Sequence, residues 1–413
     1  MEIGPDGNRL TVNDYRLVIS GMSAICSLGV GRQAILEGLR RGVSGVSSRP
    51  APPWTGQKMM TAAWVADFKP SPTIPPMKAR RMDRSSQMAI VAADAALREA
   101  NWDVAREGSA ALGIFLGSGF CGTHSSISIL HTLYERGYDE VSAAAFPNTV
   151  PNAPAGQLAI HFGLEGPSAT LLQTGTTADS ALVCAHGQLE SHQCRAALWG
   201  GVDELSEYLW SGWRALGYVG EPTDKRLYGR PVHPQSRGFV AGEDSAIIIL
   251  EVETDARSRG IQPLATIEHA TTGAIESRPW AYPDVDQIEP AIRFFEAAIA
   301  AGGPPDLVIG CANGHPRLDR FEAEMLSQLV GNRVPIWLPK GHVGETMAST
   351  ALRVVLAVWL MQEGFIPGNS WLAGTRPPYR VNLPIEPLAA AVHRILIPSI
   401  SAGGSLGAVV VAA

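Results

Sequence analysis

The stretch Gly166-Pro-Ser-Ala-Thr-Leu-Leu-Gln-Thr-Gly175-Thr-Thr-Ala-Asp-Ser-Ala-Leu, running on to Gly200-Gly201, constrains the fold more than any other part of the chain. Ala169–Gln173 has the β-branched and apolar character of a strand, Gly175 marks a sharp turn, and Thr177–Glu190 has helical spacing. Such an elbow sets one residue, Gly175, at the positive end of a helix. A thiol there would have a depressed pKa and be reactive. Glycine has no side chain to present.

Patterning extends this unit in both directions. Residues 1–14 read as a polar arm, Arg16–Ser20 as a short strand before a glycine-rich turn, and Gly31–Arg41 as a helix. Residues 48–76, with seven prolines, read as an irregular excursion. An alanine-rich amphipathic helix follows at Ser85–Ala100. Next come a strand (Ala111–Leu116), helices at Ser125–Arg136 and Ala153–Phe162, the elbow, and a strand at Ala196–Trp199. A Gly/Pro-rich loop (Gly217–Gly242) and strand Ser245–Val252 close the first half. The second half alternates likewise: strand Leu264–His269, helix Ile288–Ala301, strand Asp306–Gly310, helix Asp319–Leu329, strand Pro335–Leu338 and helix Thr350–Gln362. Strands Ala391–Pro398 and Gly407–Val411 end it. Alternation in both halves implies helix-covered sheets and a duplicated α/β unit, divided as 1–255 and 256–413.

Composition narrows the function. With 46% hydrophobic and 17% charged residues the chain can bury a large core, and 43 glycines suit closely layered elements. A net charge of -6 gives no support to a nucleic-acid or anionic-membrane surface. The five cysteines (Cys26, Cys121, Cys184, Cys194, Cys311) lack CxxC spacing, which argues against zinc and disulfides and fits a reducing cytoplasm. The N-terminus has no signal pattern, and apolar runs such as Val354–Leu360 are too short to span a bilayer. No metal or small organic cofactor is indicated.

Several landmarks fall in order: Met82-Asp83-Arg84, Pro147 and Asn152 before Ala155-Gly156, Gly166-Pro167-Ser168, Gly200-Gly201, Asp319 and Glu322, Lys340, and Gly403-Gly404. Over roughly Tyr15 to Val411 the chain resembles the β-ketoacyl synthase family of the thiolase superfamily. The resemblance implies a thiolase-like α/β fold whose duplicated halves form five layers, αβαβα. Active members use a Cys–His–His trio, the cysteine attacking an acyl thioester while the histidines polarise a malonyl thioester. Carried over by spacing, the cysteine position falls at Gly175, the first histidine at Cys311 and the second at Glu345. The associated lysine, Lys340, is retained, and the gating phenylalanine falls at Ile400.

Each alteration removes chemistry. Glycine forms no thioester, a thiol donates poorly to an enolate, and a carboxylate destabilises a nearby oxyanion unless protonated. Glu345 is expected to pair with Lys340. Family members without the trio serve as chain-length factors beside a catalytic ketosynthase in type II polyketide synthases. The resemblance therefore implies a non-catalytic subunit of a heterodimer, meeting its partner through Ala169, Thr170, Leu171, Leu172, Gln173 and Thr174. It also implies walls for an acyl-chain tunnel from Phe120, Thr123, Ile127, Ile129, Leu130 and Leu133. Aromatic-polyketide chain-length factors carry Gln at the lost cysteine position; Gly175-Thr176-Thr177 departs from that pattern and points to a highly reducing system making polyenes. The one basic cluster, Lys78, Arg80, Arg81 and Arg84, is either a solvated loop or a contact for an acyl carrier protein. Two alternatives stand beside this reading. One is a free-standing acyltransferase or hydrolase using Cys311 with His315. The other is a structural partner of a condensing enzyme that shapes no tunnel. Asp203-Glu204 and His342 are expected to be structural, and Glu165 and Asp179 to be helix-end or surface carboxylates.

Overall fold

The computed structural model describes residues 15–220, 229–375 and 377–413. The arm at 1–14 and residues 221–228 of the Gly/Pro-rich loop lie outside the described residues. Among the described residues eleven strands form one sheet, and the ten on its continuous path are arranged as two copies of one pattern. In the first half these are β1 (Leu17–Cys26), β2 (Leu112–Ser118), β3 (Ser168–Leu172), β4 (Ala196–Asp203) and β5 (Asp244–Val252). In the second they are β6 (Ala265–Ala274), β7 (Leu307–Ile309), β8 (Ile336–Trp337), β9 (Arg394–Ile400) and β10 (Ser405–Ala412).

From the molecular centre outward the first half runs β1-β5-β4-β2-β3 and the second β6-β10-β9-β7-β8, the same order displaced by five. Pair directions repeat too. In each half the two inner pairs are antiparallel and the two outer pairs parallel. The halves join where β1 meets β6 antiparallel, Leu17 opposite Ile267 and Ile19 opposite Ala265.

The principal helices are α1 (Gly31–Arg40), α2 (Arg84–Glu99), α3 (Thr123–Arg136), α4 (Ala153–Phe162), α5 (Thr177–Glu190), α6 (Glu207–Ala215), α7 (Ile288–Gly302), α8 (Pro316–Leu329) and α9 (Ser349–Glu363). Alternation along the strands sorts the core into three layers, because successive side chains leave a strand on opposite faces. Ile114, Leu116, Leu198 and Ile249 pack outward against Met88, Ala92 and Ala96 of α2. Phe115, Trp199, Ile248, Ile309, Ile397 and Val409 face the centre, where α5 and α9 lie. Val308, Leu396 and Val410 pack against Phe295 of α7 and Phe321 of α8. Three apolar layers around the two halves of this continuous sheet give the five-layer αβαβα arrangement. The helix α9 is buried from Ser349 to Leu360, as an element enclosed on all sides requires.

Several local expectations change. The first strand runs on to Cys26, past the point where a glycine-rich turn was expected. Gly21 lies within it because a Cβ there would stand 2.3 Å from the Ala96 carbonyl oxygen of α2. The excursion at 48–76 contains a hairpin, Ser47–Pro50 paired with Met59–Ala62. The strand expected at Pro335–Leu338 shortens to Ile336–Trp337, and the one at Leu264–His269 lengthens to Ala274 through its pairing with β10. Among the described residues no helix is long and apolar enough to cross a membrane.

Candidate active site

The carboxyl ends of strands in a helix-covered sheet are where ligands are held, because connecting loops there diverge and leave a cleft. Gly175, Cys311 and Lys340 follow β3, β7 and β8 within three residues, and Ile400 ends β9. Gly175 has φ +83°, and a Cβ built on it would lie 3.2 Å from Ser401 Cβ. The turn is pinned by Thr174 Oγ1, 2.9 Å from both Ser401 Oγ and the Ala402 carbonyl oxygen.

Around this turn stand Trp213, Tyr218, Phe239, Tyr282, Lys340, Glu345, Met347 and Ile400, and the space they leave is about 10 Å³, near the size that admits one water. The aromatic rings pack in edge and tilted contacts, Trp213 against Tyr218 at 5.2 Å and Phe239 at 5.7 Å, and Tyr218 against Tyr282 at 5.9 Å. None of these wall residues carries a thiol or an imidazole. A space of about 10 Å³ is too small for an acyl chain, and Gly175 brings no side chain to the elbow.

Lys340 and Glu345 form a buried ion pair, with Nζ 2.7 Å from Oε1 and 2.8 Å from Oε2. Asn313 Nδ2 donates to Glu345 Oε2, the same oxygen Lys340 reaches at 2.8 Å, and to Tyr282 Oη. The backbone of Glu345 is fixed as well, its N–H donating to the Val240 carbonyl at 2.7 Å. Burial and the adjacent Glu345 charge push the Tyr282 hydroxyl well above its ordinary pKa, so it stays a neutral donor or acceptor.

Cys311 is 1% exposed. Burial first, then the Glu322 carboxylate, push its thiol well above the ordinary range, against the thiolate a nucleophile needs. Glu322 accepts from the backbone N–H of Cys311 and Ala312 at 2.7 and 2.6 Å. Asp319 likewise accepts from Asn313, Gly314 and Val232, and burial still pushes its pKa up to about 7. These two carboxylates hold the strand-end loop in place. His315 does not serve Cys311: its Nδ1 accepts from the Arg317 N–H at the start of α8, and its ring packs on Tyr218 and Tyr282. Burial lowers its pKa to about 4. His342 is locked between the carbonyl oxygens of Val43 and Gly368, at 3.0 and 3.1 Å.

One carboxylate stands elsewhere than patterning suggests, and one expected to be structural is so. Asp179 begins α5 but is no surface group: it is buried, accepts from Thr350 Oγ1 at 2.6 Å and Ser399 Oγ at 3.0 Å, and joins α5 to α9 and β9. Its pKa is raised by that burial. Asp203 collects Ser118 Oγ and the N–H groups of Gly119, Phe120 and Ala348, fixing the turn after β2, with its pKa pushed by burial to about 6. Exposed Glu165 accepts from Ser109 Oγ.

The basic cluster divides. Lys78, Arg80 and Arg81 are exposed. Arg84 is tied to the interior though its side chain stays 38% exposed: its Nε and Nη2 donate to Glu243 at 3.0 and 2.8 Å, and Nη2 donates to the Val65 carbonyl at 2.7 Å. The expected tunnel wall also lies differently within one chain. Phe120 meets Trp213 edge-on at 5.2 Å, but Thr123, Ile127 and Ile129 are only half-buried and Leu130 and Leu133 are exposed. The helix α3 lies on the surface with no buried residue, and none of these side chains lines the pocket at the elbow. The segment Ala169–Thr174 follows the sheet edge: β3 pairs with β2 alone among the described residues, and Leu172 is 46% exposed. Gln173 is turned to the α5 start, accepting from Thr176 and Ser180. Sequence patterning missed the aromatic filling, since Trp213, Tyr218, Phe239 and Tyr282 come from separate segments with no shared period.

A family model described as beta-ketoacyl synthase, N-terminal domain, matches residues 14–256. The chain belongs to the beta-ketoacyl synthase family. Nodulation protein E of Rhizobium sp. (strain N33) is 27% identical over 365 residues, covering 86% of this chain and 88% of that protein. A 3-oxoacyl-[acyl-carrier-protein] synthase 2 of Staphylococcus aureus (strain MRSA252) is 27% identical over 262 residues, 63% of each. Among solved structures, an ishigamide ketosynthase/chain length factor superposes with a TM-score of 0.84 at 22% identity, covering 97% of this chain and 99% of that one. A type II PKS acyl-carrier protein in complex with its ketosynthase gives a TM-score of 0.85 at 17% identity, covering 97% and 100%. At these identities the superpositions establish the thiolase-like ketosynthase fold.

Proposed function

We propose that this chain is the non-catalytic subunit of a ketosynthase heterodimer, a chain-length factor whose partner carries the Cys–His–His trio. The observation that supports it most is the filled elbow: glycine at the nucleophile position, a buried Lys340–Glu345 pair where a histidine is expected, and a residual space of about 10 Å³. The ishigamide ketosynthase/chain length factor shares the fold, and the complex of a ketosynthase with its acyl-carrier protein supports partners of these classes. The uncovered edge of β3 and the surface of α3 suit a paired subunit, since an unpaired strand edge with exposed apolar side chains favours pairing. In this reading α3 completes a tunnel only once the partner covers it, and Ile127 and Leu130 limit the acyl chain, a reduced polyene. Lys78, Arg80 and Arg81 face an acyl carrier protein transiently, in the cytoplasm. No organic cofactor takes part.

The test is co-expression with the catalytic subunit. A stable 1:1 complex is expected, with condensation absent from either chain alone, and Ile127→Trp should shorten the product without weakening the complex. A homodimer of this chain that elongates an acyl thioester overturns the proposal. Unchanged product length in Ile127→Trp removes the tunnel role and leaves a structural partner.

A further inference from the structure

Because the two halves repeat one strand order, the large sheet has two equivalent ends, β3 in the first half and β8 in the second. Their registers match. Ile114 N–H donates to the Pro167 carbonyl and Val308 N–H to the Pro335 carbonyl, so Ser168 and Thr170 of the first half stand where Ile336 and Leu338 stand in the second. In a parallel ladder alternate residues turn their backbone groups away from the neighbour, and these four do so. Their surroundings differ. The strand β3 has no buried residue, and the outward N–H groups of Ser168 and Thr170 have no partner among the described residues. The two residues of β8 are both buried.

On β8 every outward group is taken within the chain. Ile336 N–H donates to the Asn382 carbonyl at 2.8 Å. The Ile336 carbonyl accepts from Asn369 Nδ2 at 3.0 Å, and Leu338 N–H donates to Asn369 Oδ1 at 3.0 Å. The side-chain amide of Asn369 thus makes the two hydrogen bonds that one residue of a neighbouring parallel strand would make. Its second amide hydrogen goes to the Pro384 carbonyl at 3.0 Å, and its backbone N–H to the same oxygen at 2.7 Å. Asn369 is 0% exposed. The preceding Gly368 fixes its position: a Cβ there would stand 2.0 Å from the Ile385 carbonyl oxygen, and the Gly368 carbonyl lies 3.1 Å from His342 Nε2. An aspartate at 369 would have no amide hydrogen to give Ile336.

An open sheet end recruits further chains, and a contact between two unlike ends repeats head-to-tail without closing. With both ends open, β3 of one chain would add to β8 of the next. We infer that Asn369, with the segment 382–384, closes the β8 end against strand addition and limits assembly through the large sheet to one partner at β3. The limit to β3 rests on the pairing proposed above; the closure of β8 does not.

Hydrogen exchange and sedimentation test the two parts separately. In the dilute unmodified chain the amides of Ile336 and Leu338 should exchange at least tenfold more slowly than those of Ser168 and Thr170. Adding the catalytic subunit should slow the β3 amides and leave those of β8 unchanged, and the complex should stay at two chains as concentration rises. Asn369→Ala frees the Ile336 carbonyl and the Leu338 N–H, so the folded variant should form species that grow with concentration, and adding Leu172→Asp should abolish that growth. A folded Asn369→Ala chain that never exceeds two copies, growth that Leu172→Asp leaves unchanged, or rapid exchange at Ile336 and Leu338 overturns the closure. Unprotected β3 amides beside the catalytic subunit overturn the pairing instead. Exchange in the unmodified chain decides even where the variant does not fold.

Discussion

Gly175 combines a missing side chain with a backbone that disfavours one. Gly175→Cys places a Cβ at φ +83° against Ser401, a strain of about 1–3 kcal/mol. The variant should melt lower and stay unacylated in intact-mass spectra after incubation with an acyl thioester, because the aromatic side chains leave no room for the chain. An acyl adduct on residue 175 would refute the filled-pocket account. The Lys340–Glu345 pair gives a second residue-scale outcome. Lys340→Met strands a buried carboxylate and should lower unfolding free energy by about 3–5 kcal/mol, whereas the double change to Met at 340 and 345 should recover most of that loss. Urea denaturation separates the two, and equal losses would mean the pair is not the coupled unit its distances describe.

The elements most open to test are β3 and the loops behind it. Leu172 is exposed at the sheet edge, so Leu172→Asp should leave the chain's own denaturation midpoint nearly unchanged while weakening association with a ketosynthase subunit at least tenfold. Pull-down and sedimentation read this directly, and undiminished association would move the interface away from β3. Helices were readable from local spacing: Ala153–Phe162 and Thr177–Glu190 have the expected bounds. Strand ends were less so. The first strand continues through Gly21 because α2 lies against it, and the hairpin at 47–62 forms within a proline-rich stretch that local signals mark as irregular.

Over the whole molecule, buried carboxylates act as bolts between distant segments while resisting ionisation. Desolvation outweighs their hydrogen bonds and holds Asp203 at about 6 and Glu204 and Asp319 at about 7, above the ordinary carboxylate range. The folded state thus binds protons that the unfolded state has released. The stabilisation is complete below about pH 4 and is lost as pH rises through 6 to 7. From pH 6 to pH 8 the chain should lose about 1 kcal/mol for each such carboxylate that titrates in the window. Urea midpoints at the two pH values measure this, and Asp319→Asn should flatten the dependence. A midpoint that rises with pH would contradict the burial argument.

The order of landmarks along the chain was enough to point to the duplicated layered fold, and the resemblance those landmarks carry puts the expected catalytic positions at Gly175, Cys311 and Glu345. Spacing alone also suggested that Glu345 meets Lys340, five residues away. Only the tertiary structure brought four aromatic side chains from separate segments onto the elbow, turned Arg84 towards Glu243 and placed Asp179 between two buried helices. Those outcomes depend on which strand ends and helix faces converge in space, and on whether burial or charge decides a side chain's direction. Neither quantity is carried by residues adjacent in the chain.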